Sequence, residues 1–197
     1  WNVSSLLTTN LINVSTGIVT GTNISNNVIQ NFNFTNTGTY TVTGINVLGT
    51  AAIYSILNNR IGSIDPALSI NSVGNQVFQG INTSNTGNLT VLNDTIVNIY
   101  IRPVAVGASV RITAINSING TSNIVNISNN FISRLFANSS NTGLTNLSSI
   151  VGIASTNGTL NQTINNNTIS TLVGLANNLG YAMHGIIQTG GAGTIAN

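Results

Sequence analysis

The sequence predicts an all-β protein, a solenoid in which short parallel strands stack coil upon coil. The first observation behind this prediction is a nine-residue segment that recurs along the chain. Its copies are Ile24–Phe32, Ile56–Ile64, Val91–Ile99, Ile127–Leu135 and Ile164–Leu172. They start 32, 35, 36 and 37 residues apart. A repeat of this length is typical of solenoid architectures, in which each repeat packs on its neighbours.

The second observation is the internal pattern of this nonapeptide. When its first residue is counted as position 0, positions 0, 5 and 8 are apolar in every copy, position 2 is Asn, and position 3 is Asn or Asp. An Asn pair has poor helix propensity, whereas Asn tolerates the left-handed backbone region that a tight bend uses. We therefore expect a strand, a bend and a second strand in each copy, with positions 0 and 5 facing the core.

The third observation is the composition. Of the 197 residues 41% are hydrophobic, and 3% are charged, against roughly 25% in ordinary globular chains. Regularly spaced Ile, Val and Leu argue against disorder. Four scattered Arg residues argue against nucleic-acid binding, and the absence of Cys excludes disulfides. No apolar run approaches the roughly 18 residues of a membrane span, so we expect no membrane insertion.

Stacking of the coils predicts a ladder of Asn side chains. Residues at one position of the nonapeptide should lie above one another, and stacked amides hydrogen-bond along such a column. Position 2 is the invariant Asn, so the expected ladder consists of Asn26, Asn58, Asn93, Asn129, Asn166 and Asn197.

The segments between the copies vary in length, and we expect them to contain the loops. A Gly-Ile pair opens a further strand before most copies, for example at Gly44-Ile45 and Gly80-Ile81. Asn-x-Ser/Thr acceptors within the expected loops make Asn33, Asn82 and Asn138 candidate glycosylation sites.

The two ends of the chain together spell one further copy of the nonapeptide. Ile195, Ala196 and Asn197 supply positions 0 to 2, and Trp1, Asn2, Val3 and Leu6 continue the pattern, with Val3 at position 5 and Leu6 at position 8. This predicts a junction between units that stack head to tail, as separate chains or as repeats of one longer chain. Residues 1–197 are then a single domain of about six coils of 26–37 residues. An uncapped solenoid end is a surface for polymerisation.

The repeat resembles a known fold. Coils of two or three short strands with a variable loop resemble the right-handed parallel β-helix of the pectate-lyase-like superfamily. The I-S-N-N-x-I segments at Ile24 and Ile127 are more similar to those of extracellular β-strand-repeat surface and fibre proteins. The resemblance covers nearly the whole chain, and it implies a fold rather than an activity.

The chemistry-bearing residues do not form a recognisable site. Asp65 and Asp94 fall at different phases of the coil, whereas glycoside hydrolysis needs two carboxyl groups flanking one bond. A calcium site needs six or more oxygen ligands, and a catalytic triad needs partners that the single His184 lacks. We therefore expect no enzyme activity, no catalytic, cofactor or metal site, and no cofactor.

Three functions are compatible with these features. The first is a structural subunit of an extracellular filament or cell-surface fibre, whose partners are copies of itself stacked end to end. The second is a β-helical adhesin or carbohydrate-binding module that contacts cell-surface or matrix glycans. The third, a polysaccharide-degrading enzyme, lacks an acidic groove. Aromatic residues sharing one outer phase would favour the second function, but no common phase is evident in Phe34, Tyr40, Tyr54, Tyr100, Phe136 and Tyr181.

Overall fold

The protein is a parallel β-solenoid, which confirms the predicted fold class. A computed structural model describes residues 2–3, 8–16, 21–50, 53–85, 87–103, 109–120, 124–141, 148–156, 161–175, 182–190 and 193–196. The strands are β1 (Asn2–Val3), β2 (Thr9–Thr16), β3 (Thr22–Ser25), β4 (Val28–Ile29), β5 (Phe32–Phe34), β6 (Thr39–Gly49), β7 (Ile53–Leu57), β8 (Arg60–Gly62), β9 (Ile70–Ser72), β10 (Asn75–Asn85), β11 (Asn88–Leu92), β12 (Thr95–Ile101), β13 (Arg111–Asn119), β14 (Ile124–Ser128), β15 (Phe131–Ala137), β16 (Ile150–Thr156), β17 (Asn161–Asn165), β18 (Thr168–Gly174), β19 (Met183–Thr189) and β20 (Gly193–Ala196). A 3-10 helix, Pro66–Leu68, follows β8.

The strands form three parallel sheets that run along the solenoid axis. Sheet A contains β1, β4, β5, β8, β9, β12, β15 and β18. Sheet B contains β2, β6, β10, β13, β16 and β19, and sheet C contains β3, β7, β11, β14, β17 and β20. Sheet A has eight strands because β4 and β5, like β8 and β9, are halves of what is one strand in later coils. Each sheet therefore receives a strand from successive coils.

The register of the strands matches the apolar pattern of the nonapeptide. Position 0 forms one column in sheet C, comprising Ile24, Ile56, Val91, Ile127, Ile164 and Ile195. Position 5 forms a second column in sheet A, comprising Ile29, Ile61, Ile96, Ile132 and Ile169. Side chains of both columns belong to or pack against one continuous core, except Ile195 at the end. The expected in-register stacking of position 5 is confirmed.

The Asn residue at position 2 makes the predicted bend between sheets C and A. All five described copies adopt positive φ, between 52° and 59°. A second left-handed residue, which the sequence did not indicate, lies at position 7 as Asn31, Asn98, Arg134 and Thr171. It bends sheet A between positions 4–6 and positions 8–10. In the second coil Gly62 (φ 83°) makes this bend one residue earlier, and a Cβ there would lie 1.7 Å from the Val97 carbonyl oxygen.

Strands occupy part of the segments expected to be loops. Asn33 lies in β5, Asn82 lies in β10, and Asn138 directly follows β15. A coil with three sheets needs more strand residues than the nonapeptide supplies, so polar stretches rich in Thr, Asn and Gln are recruited into strands. Within the described ranges, no helix is long and apolar enough to cross a membrane.

Candidate functional site

An amide ladder does run along the solenoid, but it lies at position 3 and not at the predicted position 2. The position-2 side chains of Asn26, Asn58, Asn93, Asn129 and Asn166 are exposed, and Asn197 lies outside the described residues. The left-handed bend explains the correction, because it turns position 2 outward and position 3 inward. The ladder residues are Asn27, Asn59, Asp94, Asn130 and Asn167.

The interior ladder residues Asn59 and Asn130 each join three coils. The backbone N–H and Nδ2 of Asn130 both donate to Oδ1 of Asn167 in the next coil, at 3.0 and 2.9 Å. Its Nδ2 also donates to the carbonyl oxygen of Val91 at 3.1 Å. Asn59 makes the same set of bonds, to Oδ1 of Asp94 and to the Ile24 carbonyl. The ladder thus satisfies buried backbone groups at a bend where no sheet hydrogen bond is available.

Asp94 is the one acidic member of the ladder in the described chain. Its Oδ1 accepts from the backbone N–H and Nδ2 of Asn59, as an Asn Oδ1 does in the other coils. Its Oδ2 therefore takes the place of Nδ2, which in other coils donates to a position-0 carbonyl, here that of Ile56. Oδ2 is buried without a hydrogen-bond partner. Burial raises the pKa of Asp94, and hydrogen bonds from Asn59 lower it by a smaller amount, so that the resulting pKa is about 7.

A second amide ladder, which the sequence analysis missed, runs along sheet B. Nδ2 of Asn46, Asn82 and Asn116 donates to Oδ1 of Asn13, Asn46 and Asn82, at 2.8, 2.8 and 2.7 Å. The signal in the sequence was the Ile-Asn pair at Ile12, Ile45, Ile81 and Ile115.

One of the candidate glycosylation sites belongs to this second ladder. Nδ2 of Asn82 donates to Asn46, and its Oδ1 accepts from Asn116, so a glycan on Asn82 would stand within the ladder. Nδ2 of Asn138 donates to the Pro103 carbonyl at 3.3 Å, and Asn33 is exposed on sheet A. Glycosylation at Asn33, Asn82 and Asn138 stays a prediction.

The end of the solenoid formed by β18, β19 and β20 is an open cross-section of the core. Each of these strands pairs on one side only within the described chain. Ile195 is 47% exposed, whereas Ile164, its neighbour in the same column, is fully buried. A depression of about 460 Å³, lined by Ile169, Leu172, Ile186 and their neighbours, opens there.

The surroundings of three glycines show how closely successive coils pack. A Cβ on Gly152 would lie 2.5 Å from the Gly185 carbonyl oxygen of the next coil, and one on Gly44 would lie 2.6 Å from the Gly80 carbonyl oxygen. A Cβ on Gly185 would meet no atom within 4 Å. The space that the next coil fills elsewhere is therefore empty at Gly185.

The predicted junction residues follow the expected register at one end only. Ile195 pairs with Ile164 and Ala196 with Asn165, which is the register of positions 0 and 1. Val3, however, pairs with Phe34 at position 10 and not with Ile29 at position 5. Joined ends have three residues between Ala196 and Val3, whereas the other copies have eight between positions 1 and 10. Trp1, Leu6 and Asn197 lie outside the described residues.

The outer face of sheet A carries aromatic residues in one phase. Tyr100 and Phe136 both occupy position 9 in neighbouring coils and pair in β12 and β15. Their rings stack with centroids 4.6 Å apart and planes 6° from parallel, and the Arg102 guanidinium lies 4.4 Å from the Tyr100 ring centroid. The expectation that aromatic residues share no phase is wrong for this pair. Phe34, Tyr40 and Tyr54 are core residues.

A shallow depression lies on the other half of the same face. It has a volume of about 230 Å³ and is lined by Ile64, Val97, Phe131, Ser133 and Arg134. These residues come from three successive coils. Ile64 lies in the loop that is inserted after β8, Val97 lies in β12, and the other three lie in β15. Ile64 is 67% exposed and Phe131 is 42% exposed.

The remaining ionisable groups do not assemble into a site. Asp65 lies in the loop after β8, where its Oδ1 accepts from the backbone N–H of Ala67 and caps the 3-10 helix. His184 lies in β19 opposite Val151, far along the chain from both Asp residues. Among the residues that the structure describes, no three His, Cys, Asp or Glu side chains could together hold a metal ion.

Comparison with known proteins adds no relative: no family model matches the chain, and no match was found among curated proteins or solved structures.

Proposed function

We propose that the protein is a structural subunit of an extracellular fibre in which β-solenoid units stack end to end. The observation that supports this most is the open cross-section at β18–β20. There the apolar columns of the core keep the register of the earlier coils but are not covered by a further coil of the described chain. Partly exposed apolar residues and one-sided strands there provide both surface and backbone groups for a further coil. The scarcity of charge suits a protein that is assembled rather than dispersed.

The two ends offer matching strand sets for this stacking. β18, β19 and β20 bound sheets A, B and C at one end, and β1, β2 and β3 bound the same sheets at the other. Stacking would place β18, β19 and β20 of one unit beside β1, β2 and β3 of the next, so each sheet would continue from unit to unit. Because the Val3 register does not complete a nonapeptide, the contact relies on the end faces and sheet edges. Sheets B and C have six strands each, so we expect an axial advance of about 29 Å per unit at roughly 4.8 Å per strand.

A substitution of Gly185 tests the stacking. Gly185→Val should leave the isolated unit folded, because the added atoms point into empty space. It should abolish fibres, because a stacked coil would place a backbone atom about 2.5 Å from the new Cβ. This is the distance at which a Cβ on Gly152 would meet the Gly185 carbonyl oxygen. Electron microscopy of the wild-type and variant proteins measures this.

The matched control is Ile64→Asp, which changes an exposed apolar residue on the side of the solenoid and should leave fibre formation intact. Fibres of normal length from Gly185→Val, or an axial repeat far from about 29 Å, would contradict end-to-end stacking.

The second candidate function is a carbohydrate-binding module. The Tyr100–Phe136 pair on the outer face of sheet A favours it, because the two stacked rings offer a rigid apolar surface that ends in the polar Tyr100 hydroxyl. This function does not exclude the first, since a fibre can present the same face along its length.

We propose no catalytic role. Asp94 is buried in a ladder and Asp65 caps a 3-10 helix, so the two carboxyl groups serve separate structural purposes. Incubation of the wild type with polysaccharides should release no reducing ends, and neither Asp65→Asn nor Asp94→Asn should change this result. Release of reducing ends that disappears in either variant would overturn this.

A further inference from the structure

We propose that the outer face of sheet A binds an acidic polysaccharide, with Arg134 and Arg102 holding its carboxylate or sulfate groups and the outward edges of the stacked Tyr100 and Phe136 rings contacting its sugars. This inference rests on the second candidate function and names its ligand. It does not depend on the stacking of units.

The first argument is the placement of the cations. Three of the four Arg residues lie on this face: Arg60 in β8, Arg102 after β12 and Arg134 in β15. Nη2 of Arg60 donates to Oε1 of Gln30 at 3.0 Å. Arg134 is exposed and has no hydrogen bond or ion pair with any described residue. A free guanidinium presents a planar set of donors that matches a carboxylate or sulfate.

The second argument is the apolar surface beside these cations. The Tyr100–Phe136 stack lies two residues along the chain from Asn98 and Arg134, and the Tyr100 hydroxyl donates to Oδ1 of Asn98 at 3.0 Å, which fixes the ring. Val97 is 2% exposed although it is not part of the solenoid core. The face therefore combines fixed aromatic rings, an apolar depression and charge.

The shape of the face favours an extended ligand. The depression of about 230 Å³ is smaller than the roughly 300–1,000 Å³ of pockets that enclose a whole small molecule, so it accepts only a side group. Together with the ring stack it spans neighbouring coils along the axis, which suits a chain of sugars. A nucleic acid needs more phosphate contacts than three Arg residues supply. A peptide added as a strand needs a free sheet edge, whereas this surface is a sheet face.

The proposal is tested by binding of the full chain to alginate, dextran sulfate and neutral dextran, measured by isothermal titration calorimetry. We expect binding to one or both acidic polymers and at least tenfold weaker binding to dextran. Binding to alginate alone identifies carboxylate as the ligand group, and binding to dextran sulfate alone identifies sulfate. Arg134→Gln should weaken binding to the acidic polymer about tenfold, because one charge-assisted contact is lost. Phe136→Leu should weaken it several-fold, because the position stays apolar but loses the aromatic ring.

The matched control is Arg111→Gln, which makes the same charge change in β13 of sheet B and should alter the affinity less than twofold. Equal loss in both Arg variants would mean unspecific attraction and overturn the proposal, as would equal binding of dextran or no binding of either acidic polymer. Electron microscopy of Arg134→Gln should show unchanged fibres, so failure of this site is distinguishable from failure of end-to-end stacking.

Discussion

Asn130→Leu should destabilise the protein by about 3–5 kcal/mol, because it removes the buried ladder at one coil. The substitution deletes the acceptor of the Asp94 backbone N–H and the donor to the Val91 carbonyl. Each buried polar group left without a partner costs roughly 1–3 kcal/mol. Chemical denaturation of the wild-type and variant proteins at one pH measures the change.

The neighbouring Asn129 supplies the control for this prediction. Asn129 is exposed and has φ of 55°, a conformation that Gly adopts without strain. Asn129→Gly should therefore change the free energy of unfolding by less than about 1 kcal/mol. An equal loss in the two variants would show that the ladder at position 3 adds nothing beyond the bend itself.

Asp94→Asn should stabilise the protein at pH 8 by up to about 4 kcal/mol. The new Nδ2 would donate to the Ile56 carbonyl, as Nδ2 of Asn59 does to Ile24 and Nδ2 of Asn167 does to Ile127. In the wild type at pH 8, a buried carboxylate oxygen occupies this place with no donor. The upper bound follows from the rise of the Asp94 pKa from 3.8 to about 7, at about 1.4 kcal/mol per pH unit.

The stabilisation by Asp94→Asn should depend on pH in a defined direction. Between about pH 4 and pH 7 the folded wild type holds a proton on Asp94 that the unfolded chain has released. Wild-type stability therefore falls as the pH rises through this window, and the contribution of the neutral carboxyl is lost above it. The difference between variant and wild type should be small at pH 4 and reach its maximum above pH 7.

Denaturation curves from pH 4 to pH 8 measure this difference, and NMR titration of the Asp94 carboxyl carbon gives its pKa directly. Asp65→Asn is the control, because Asp65 is exposed in a loop and lies outside the ladder. A stability difference that is constant from pH 4 to pH 8, or an Asp94 pKa near 4, would contradict the prediction.

The solenoid, its core columns and the bend all follow from the amino-acid sequence. Apolar residues at positions 0 and 5 must share a side of the strands, and Asn at position 2 suits a left-handed bend; both properties are local and repeat with every coil. Local pattern also predicted that Ile195 continues the position-0 column, as its pairing with Ile164 shows.

The roles of the polar and aromatic side chains, in contrast, depend on how the coils fold against one another. Whether position 2 or position 3 forms the ladder depends on which residue the bend turns inward, and both are Asn in most copies. The second bend at position 7 joins Asn31, Asn98, Arg134 and Thr171, which share no side-chain chemistry that a sequence pattern could detect. The Tyr100–Phe136 stack likewise arises from a contact between coils 36 residues apart, because parallel stacking brings together residues that no local pattern relates.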